Sequence, residues 1–124
     1  MRVDSYPTVA RTAFPFALSG VLLLALLPGR LLEILGMAFT FNHDKLNHAA
    51  AFAVLAALGS LGWPERKAKL VVFLLLIGAA IEILQGTQLV ARDRDVFDWL
   101  ADCAGMVCGL VIAGWIKRLA GGLR

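Results

Sequence analysis

The sequence predicts an all-α membrane protein: a compact bundle of about four transmembrane helices, with a short interfacial or re-entrant segment after the first. Three observations carry that prediction. Of the 124 residues, 60% are apolar and only 17% are charged, and the mean hydropathy is +0.78; soluble domains run nearer half apolar and about a quarter charged. Four apolar stretches are each long enough to cross a hydrocarbon core about 30 Å thick, which takes about 20 helical residues. The polar residues inside three of those stretches fall at matching depth. The length allows one domain, residues 1–124.

The first stretch runs from Ala10 to Pro28. Arg2 and Arg11 precede it in the manner of a signal peptide, but Leu27-Pro28-Gly29-Arg30 is not a small-x-small cleavage site, so an uncleaved span is expected. Leu31 to Phe39 is apolar apart from Glu33 and too short to span, so it is expected to lie in the interface or re-enter the bilayer. The second span covers Lys45 to Trp63 and stops at the turn Gly62-Trp63-Pro64-Glu65-Arg66-Lys67. The third runs from Leu70 to Val90 and the fourth from Val96 to Ile116, joined by the charged link Ala91-Arg92-Asp93-Arg94-Asp95.

Basic residues set the expected orientation. Four spans put Arg2, Arg11, Arg66, Lys67, Lys69, Lys117, Arg118 and Arg124 on one side, and Arg30, Lys45, Arg92 and Arg94 on the other. Both termini are therefore expected in the cytoplasm. Most acids fall the opposite way: Glu33, Asp44, Glu82, Asp93, Asp95, Asp98 and Asp102 lie on or toward the outside. Trp63 and Trp115 mark inner helix ends and Trp99 an outer one, as interfacial anchors do. A net charge of +3, scattered along the chain, leaves no footprint for nucleic acid.

At about 1.5 Å per residue, His48 lies about 4–5 Å below the outer boundary, Asp98 about 3 Å, Asp102 about 9 Å and Glu82 about 12 Å. Their faces also match. Asp44 and His48 share one face of span two, and Glu82 and Gln85 one face of span three. Asp95, Asp98, Asp102, Gly105 and Gly109 form a single stripe along span four. Its upper part is acidic, and its lower part is a Gly-x-x-x-Gly pair that lets another helix approach closely. An ionised group at mid-membrane costs at least about 2.5–3.5 kcal/mol and less toward the edge, so this concentration argues for a role. The expected arrangement is an outward pocket floored by Glu82 and Asp102, walled by His48 and Asp98, and rimmed by Lys45 and Arg92.

Plainer readings stand beside this one. Glu82 paired with Arg92 or His48 would fix helix register. Asp95 suits a helix N-cap, and Asp98 suits the dipole of the first turn. His43, Asp93 and Arg94 read as solvated loop residues. Cys103 and Cys108, five apart on one helix, point to different faces, which argues against a bond between them; both read as small packing residues.

Asp44-Lys45-x-x-His48, Glu82-x-x-Gln85, Arg92 followed six residues later by Asp98-Trp99, and then Gly105 closely resemble the VanZ-like family of small bacterial membrane proteins. The resemblance runs from about Asn42 to Gly109. Where this chain has Asp102 the family usually carries Asn. The resemblance implies a bacterial inner-membrane protein, and the family's founding member is associated with reduced sensitivity to teicoplanin-type glycopeptides, which act on cell-wall precursors outside the membrane. It implies no catalytic residues.

Several functions fit these residues. The pocket (Asp44, Lys45, His48, Glu82, Gln85, Arg92, Asp95, Asp98 and Asp102) could bind or modify an envelope lipid or lipopeptide-type ligand. Lys45, His48 and Arg92 suit an anionic head group, and the acids a cationic one. A membrane hydrolase or transferase would use His48 as acid or base, tuned by Asp44 or Asp98, with Glu82 as second carboxylate. A divalent-metal version would draw on His48, Glu82, Asp98 and Asp102. A proton relay finds no polar continuation through the inner half of the spans. A structural partner subunit, or a homo-oligomer built on Gly105 and Gly109, completes the set.

Overall fold

The computed structural model describes residues 5–36, 44–87 and 96–122, and among them every regular element is helical. The order is α1 (Tyr6–Leu26), a short α2 (Gly29–Ile34), α3 (Asp44–Gly62), α4 (Lys67–Gln85) and α5 (Val96–Gly122). A 3-10 turn over Pro64–Arg66 joins α3 to α4. Pro28 forces the preceding Leu27 out of the helical region to ψ 131°, which ends α1. α2 closes on Gly36, whose φ of +74° is the left-handed geometry that glycine adopts without cost at a helix end.

Among the described residues, three helical segments are long and apolar enough to cross a membrane: Tyr6–Leu26, Pro64–Gln85 and Val96–Gly122. The second expected span, α3, does not meet that criterion. Its first turns carry Asp44, Lys45, Asn47 and His48, and the rest is rich in alanine, so its composition is less apolar than that of its neighbours. α3 is instead the central helix. Phe52, Leu55 and Ala56 are almost completely buried and form the core with Leu70, Leu74, Ile81 and Met106. A smaller cluster of Ala10, Leu61 and Ala113 closes the other end.

The outer surface is apolar. Phe16, Leu23, Leu46, Leu76, Val107 and Leu119 are all more than 60% exposed, whereas His48, Ser60, Glu82, Gln85, Asp98 and Asp102 are buried. This pattern inverts that of a soluble protein. It fits a bundle that turns its apolar side chains toward lipid and satisfies polar groups internally.

Contacts along the helices give their directions. α1 and α3 are antiparallel, with Arg11 near Gly62; α4 and α5 are antiparallel, with Leu75 near Trp99. α3 and α5 run parallel, pairing His48 with Asp102 and Ser60 with Lys117. The starts of α3 and α5 therefore lie beside the ends of α1 and α4. This acidic end holds the candidate site. The opposite, basic end holds Arg11, Trp63, Arg66 and Lys117.

Gly105 and Gly109 make the parallel pair possible. A methyl group on Gly105 would collide with the backbone carbonyl of Ala49, and one on Gly109 with that of Ala53. Two small-residue ridges four residues apart thus interlock. The contact corrects one sequence expectation: the Gly105–Gly109 face is occupied by α3 of the same chain and is not an open surface for a second copy.

Candidate functional site

Close packing of α5 on α3 sets the central contact of the site. Asp102 lies one turn before Gly105, and His48 directly precedes Ala49. Where the glycine lets the backbones touch, the two side chains meet. His48 Nδ1 lies 2.7 Å from Asp102 Oδ1. With Asp102 ionised, its carboxylate only accepts and the Nδ1–H donates. Glu82, from α4, brings Oε1 to 3.9 Å from the same nitrogen; that is beyond hydrogen-bond range but close enough for strong electrostatic influence. His48, Glu82 and Asp102 are all buried, at 8%, 5% and 1% exposure. Each offers a ligand atom within 4.8 Å of the others.

Asp98 is separate from this trio. It sits in the first turn of α5, 2% exposed, with Oδ1 3.4 Å from Lys45 Nζ. The Lys45 side chain is 57% exposed. A buried carboxylate is thus held by a cation at the surface of the acidic end.

Four expectations change. Among the described residues, His48 meets Asp102 and not Asp98, because the parallel helices register His48 a full turn deeper than Asp98. The possible metal-ligand set is His48, Glu82 and Asp102, without Asp98. Gln85 is 1% exposed, yet its amide nitrogen donates to the Ala25 carbonyl at 2.9 Å. It ties α4 to the last turn of α1, where the sequence placed it in a ligand pocket. Trp99 likewise turns its indole N–H inward to the Leu75 carbonyl at 3.2 Å and does not serve as a free interfacial anchor.

The Asp44 side chain, and Arg92 and Asp95, which complete the expected pocket, lie outside the described residues, as do His43, Asp93 and Arg94. Asp44 is described only as the first residue of α3.

Sequence reasoning missed Gly78. A methyl group there would come within 2.9 Å of Asp102 Oδ2 and 3.2 Å of the Trp99 ring. Gly78 therefore makes the space into which the Asp102 carboxylate fits. The signal was present in its position one turn below Glu82 on the same face of α4. Asp102 Oδ2 is buried and makes no hydrogen bond among the described residues, an arrangement that costs free energy and marks the carboxylate as more than a packing group.

The site can do three things chemically. His48 and Asp102 form an oriented acid–base pair. The three buried donors suit a hard or borderline divalent ion. The Lys45–Asp98 pair at the edge can exchange partners with a charged ligand. Comparison with protein-family models, curated proteins and solved structures finds no match to this chain.

Proposed function

We propose that the chain is a VanZ-like protein of the bacterial inner membrane that binds the polar head of a cell-envelope lipid or lipopeptide-type ligand at its acidic end. In this reading α3 is the fourth span. Its 19 residues reach about 28 Å at about 1.5 Å per residue, close to the hydrocarbon thickness, and its deeper polar groups, His48 and Ser60, are buried among the helices. α2, with Arg30, Leu31, Glu33 and Ile34 exposed, lies in the outer interface. The basic end faces the cytoplasm together with both termini, and the acidic end faces outward.

The observation that carries the proposal is the Lys45–Asp98 ion pair. Among the described residues, three carboxylates (Glu82, Asp98 and Asp102) converge with one lysine and one imidazole. A ligand amine or hydroxyl would replace Lys45 on Asp98. Lys45, already more than half exposed, would then swing to the ligand's phosphate or carboxylate. A protein that holds or alters such a molecule in the outer leaflet would change how glycopeptides meet their envelope targets, which connects the site to glycopeptide sensitivity.

The test is to purify the intact chain with its bound lipids and identify them by mass spectrometry. The expected result is an amine- or hydroxyl-bearing envelope lipid in the parent that is depleted in Asp98→Asn and Lys45→Gln, both still monodisperse. An identical lipid complement in all three proteins overturns the reading.

The 4.8 Å grouping of His48, Glu82 and Asp102 favours a second reading, a membrane-embedded hydrolase or transferase assisted by a divalent metal. It expects about one equivalent of zinc or manganese in the purified protein, lost from Glu82→Gln/Asp102→Asn. Full activity in metal-free protein would eliminate it.

A further inference from the structure

At the basic end, α1, α3 and α4 enclose a groove of about 220 Å³ lined by Phe14, Gly59, Trp63, Arg66, Lys69, Leu70 and Phe73. Its construction is specific. The Arg11 Nε donates to the Gly62 carbonyl at 2.6 Å, satisfying a carbonyl at the C-terminus of α3. The same guanidinium lies over the Trp63 ring, 5.9 Å from its centroid. Phe14 meets Trp63 edge to face at 5.7 Å. Trp63 is thereby held from two sides as one wall. Gly59 lacks a side chain where Leu70 presses in, which forms the floor. Phe73, 43% exposed, continues the apolar surface out to the lipid-facing residues Val72 and Leu76. Arg66 and Lys69, both exposed, stand at the mouth.

We infer that this groove is a binding site for an anionic glycerophospholipid of the adjoining leaflet, with the phosphate held by Arg66 and Lys69 and the start of an acyl chain laid against Phe14, Trp63 and Phe73. Charge complementarity selects the occupant. Arg11, Arg66, Lys67, Lys69, Lys117 and Arg118 crowd this end, and Glu65 is the acid among the described residues there. Basic pockets between helices at the cytoplasmic side are where anionic head groups bind. The volume is below the roughly 300–1,000 Å³ that encloses a whole small molecule, so it fits a head group and the first part of a chain while the rest remains in lipid. The aromatic wall argues against free inorganic phosphate, which has nothing to place there. The inference is independent of the polar centre at the other end.

Native mass spectrometry of the full chain in detergent, titrated with phosphatidylglycerol or phosphatidylcholine, tests it. Phosphatidylglycerol should bind more tightly than phosphatidylcholine. Arg66→Gln/Lys69→Gln should weaken phosphatidylglycerol binding by roughly thirty-fold, given the usual contribution of a cation near an anionic surface. Arg30→Gln, a loss of charge away from the groove, should leave it unchanged. Phe73→Ala, at an exposed position that leaves the core intact, should reduce the preference for long over short acyl chains. Equal binding of the two lipids, or equal loss in Arg30→Gln and the groove variant, overturns the inference.

Discussion

His48 and Asp102 meet at 2.7 Å across two helices that run in the same direction, and Gly105, one turn below Asp102, sits against the backbone of Ala49, the residue after His48. The polar contact and the glycine contact form one unit: the glycine draws the helices together, and the hydrogen bond fixes their register. Glu82 approaches this pair from α4, in the space opened by Gly78.

The coupling between His48 and Asp102 is measurable by a double-mutant cycle. Asp102→Ala leaves His48 without this partner, and His48→Ala leaves Asp102 likewise. Each should cost about 1–3 kcal/mol of stability, the usual range for stranding a buried polar group, with an interaction energy of about 0.5–3 kcal/mol. Asp102→Asn keeps an oxygen acceptor for the imidazole N–H and should stay within about 1 kcal/mol of the parent. Thermal or denaturant unfolding in detergent reads all three. Strict additivity of the two alanine variants would show that the contact contributes nothing.

Gly105→Ala should destabilise by about 3 kcal/mol or more, at the upper end of overpacking effects, because the obstructing atoms belong to the Ala49 backbone and cannot rotate away. Gly114, on the same helix, has nothing within 4 Å of an added methyl group, so Gly114→Ala should be neutral or slightly stabilising through its helix propensity. Melting temperatures of the pair separate tertiary contact from propensity. Equal shifts would refute close α3–α5 packing.

Gly78→Ala should disturb the polar centre without removing any of its groups. The added methyl lies 2.9 Å from Asp102 Oδ2, so the carboxylate must turn. A cost of about 1–3 kcal/mol is expected. The imidazole resonances of His48 should shift relative to the parent in a nuclear magnetic resonance spectrum. An unchanged His48 would mean that the carboxylate does not occupy the Gly78 gap.

At the opposite end, Arg11→Lys keeps the charge but loses the fork that reaches both the Gly62 carbonyl and the Trp63 face. It should cost about 1–2 kcal/mol, from one charge-assisted hydrogen bond and a partly exposed cation–π contact. Unfolding followed by tryptophan fluorescence should show a lower midpoint. An unchanged midpoint would indicate that Arg11 is not holding the end of α3.

Much of this was legible in the residues themselves. Apolar run lengths located the long helices, because backbone groups in lipid are satisfied within a helix and the run must match the membrane. Helical periodicity put Asp98, Asp102, Gly105 and Gly109 on one face, and the stripe is buried as one face. Periodicity describes each helix alone, however. It does not say which helix covers the stripe, or how far one slides along another. Only the packing decided that α3 fills the glycine face, that His48 meets Asp102 while Lys45 takes Asp98, and that Gln85 serves α1. The physical reason is that a partner is chosen by steric fit between two surfaces: a missing Cβ at Gly105 and another at Gly78 set where the backbones can touch, and the polar contacts follow from that fit.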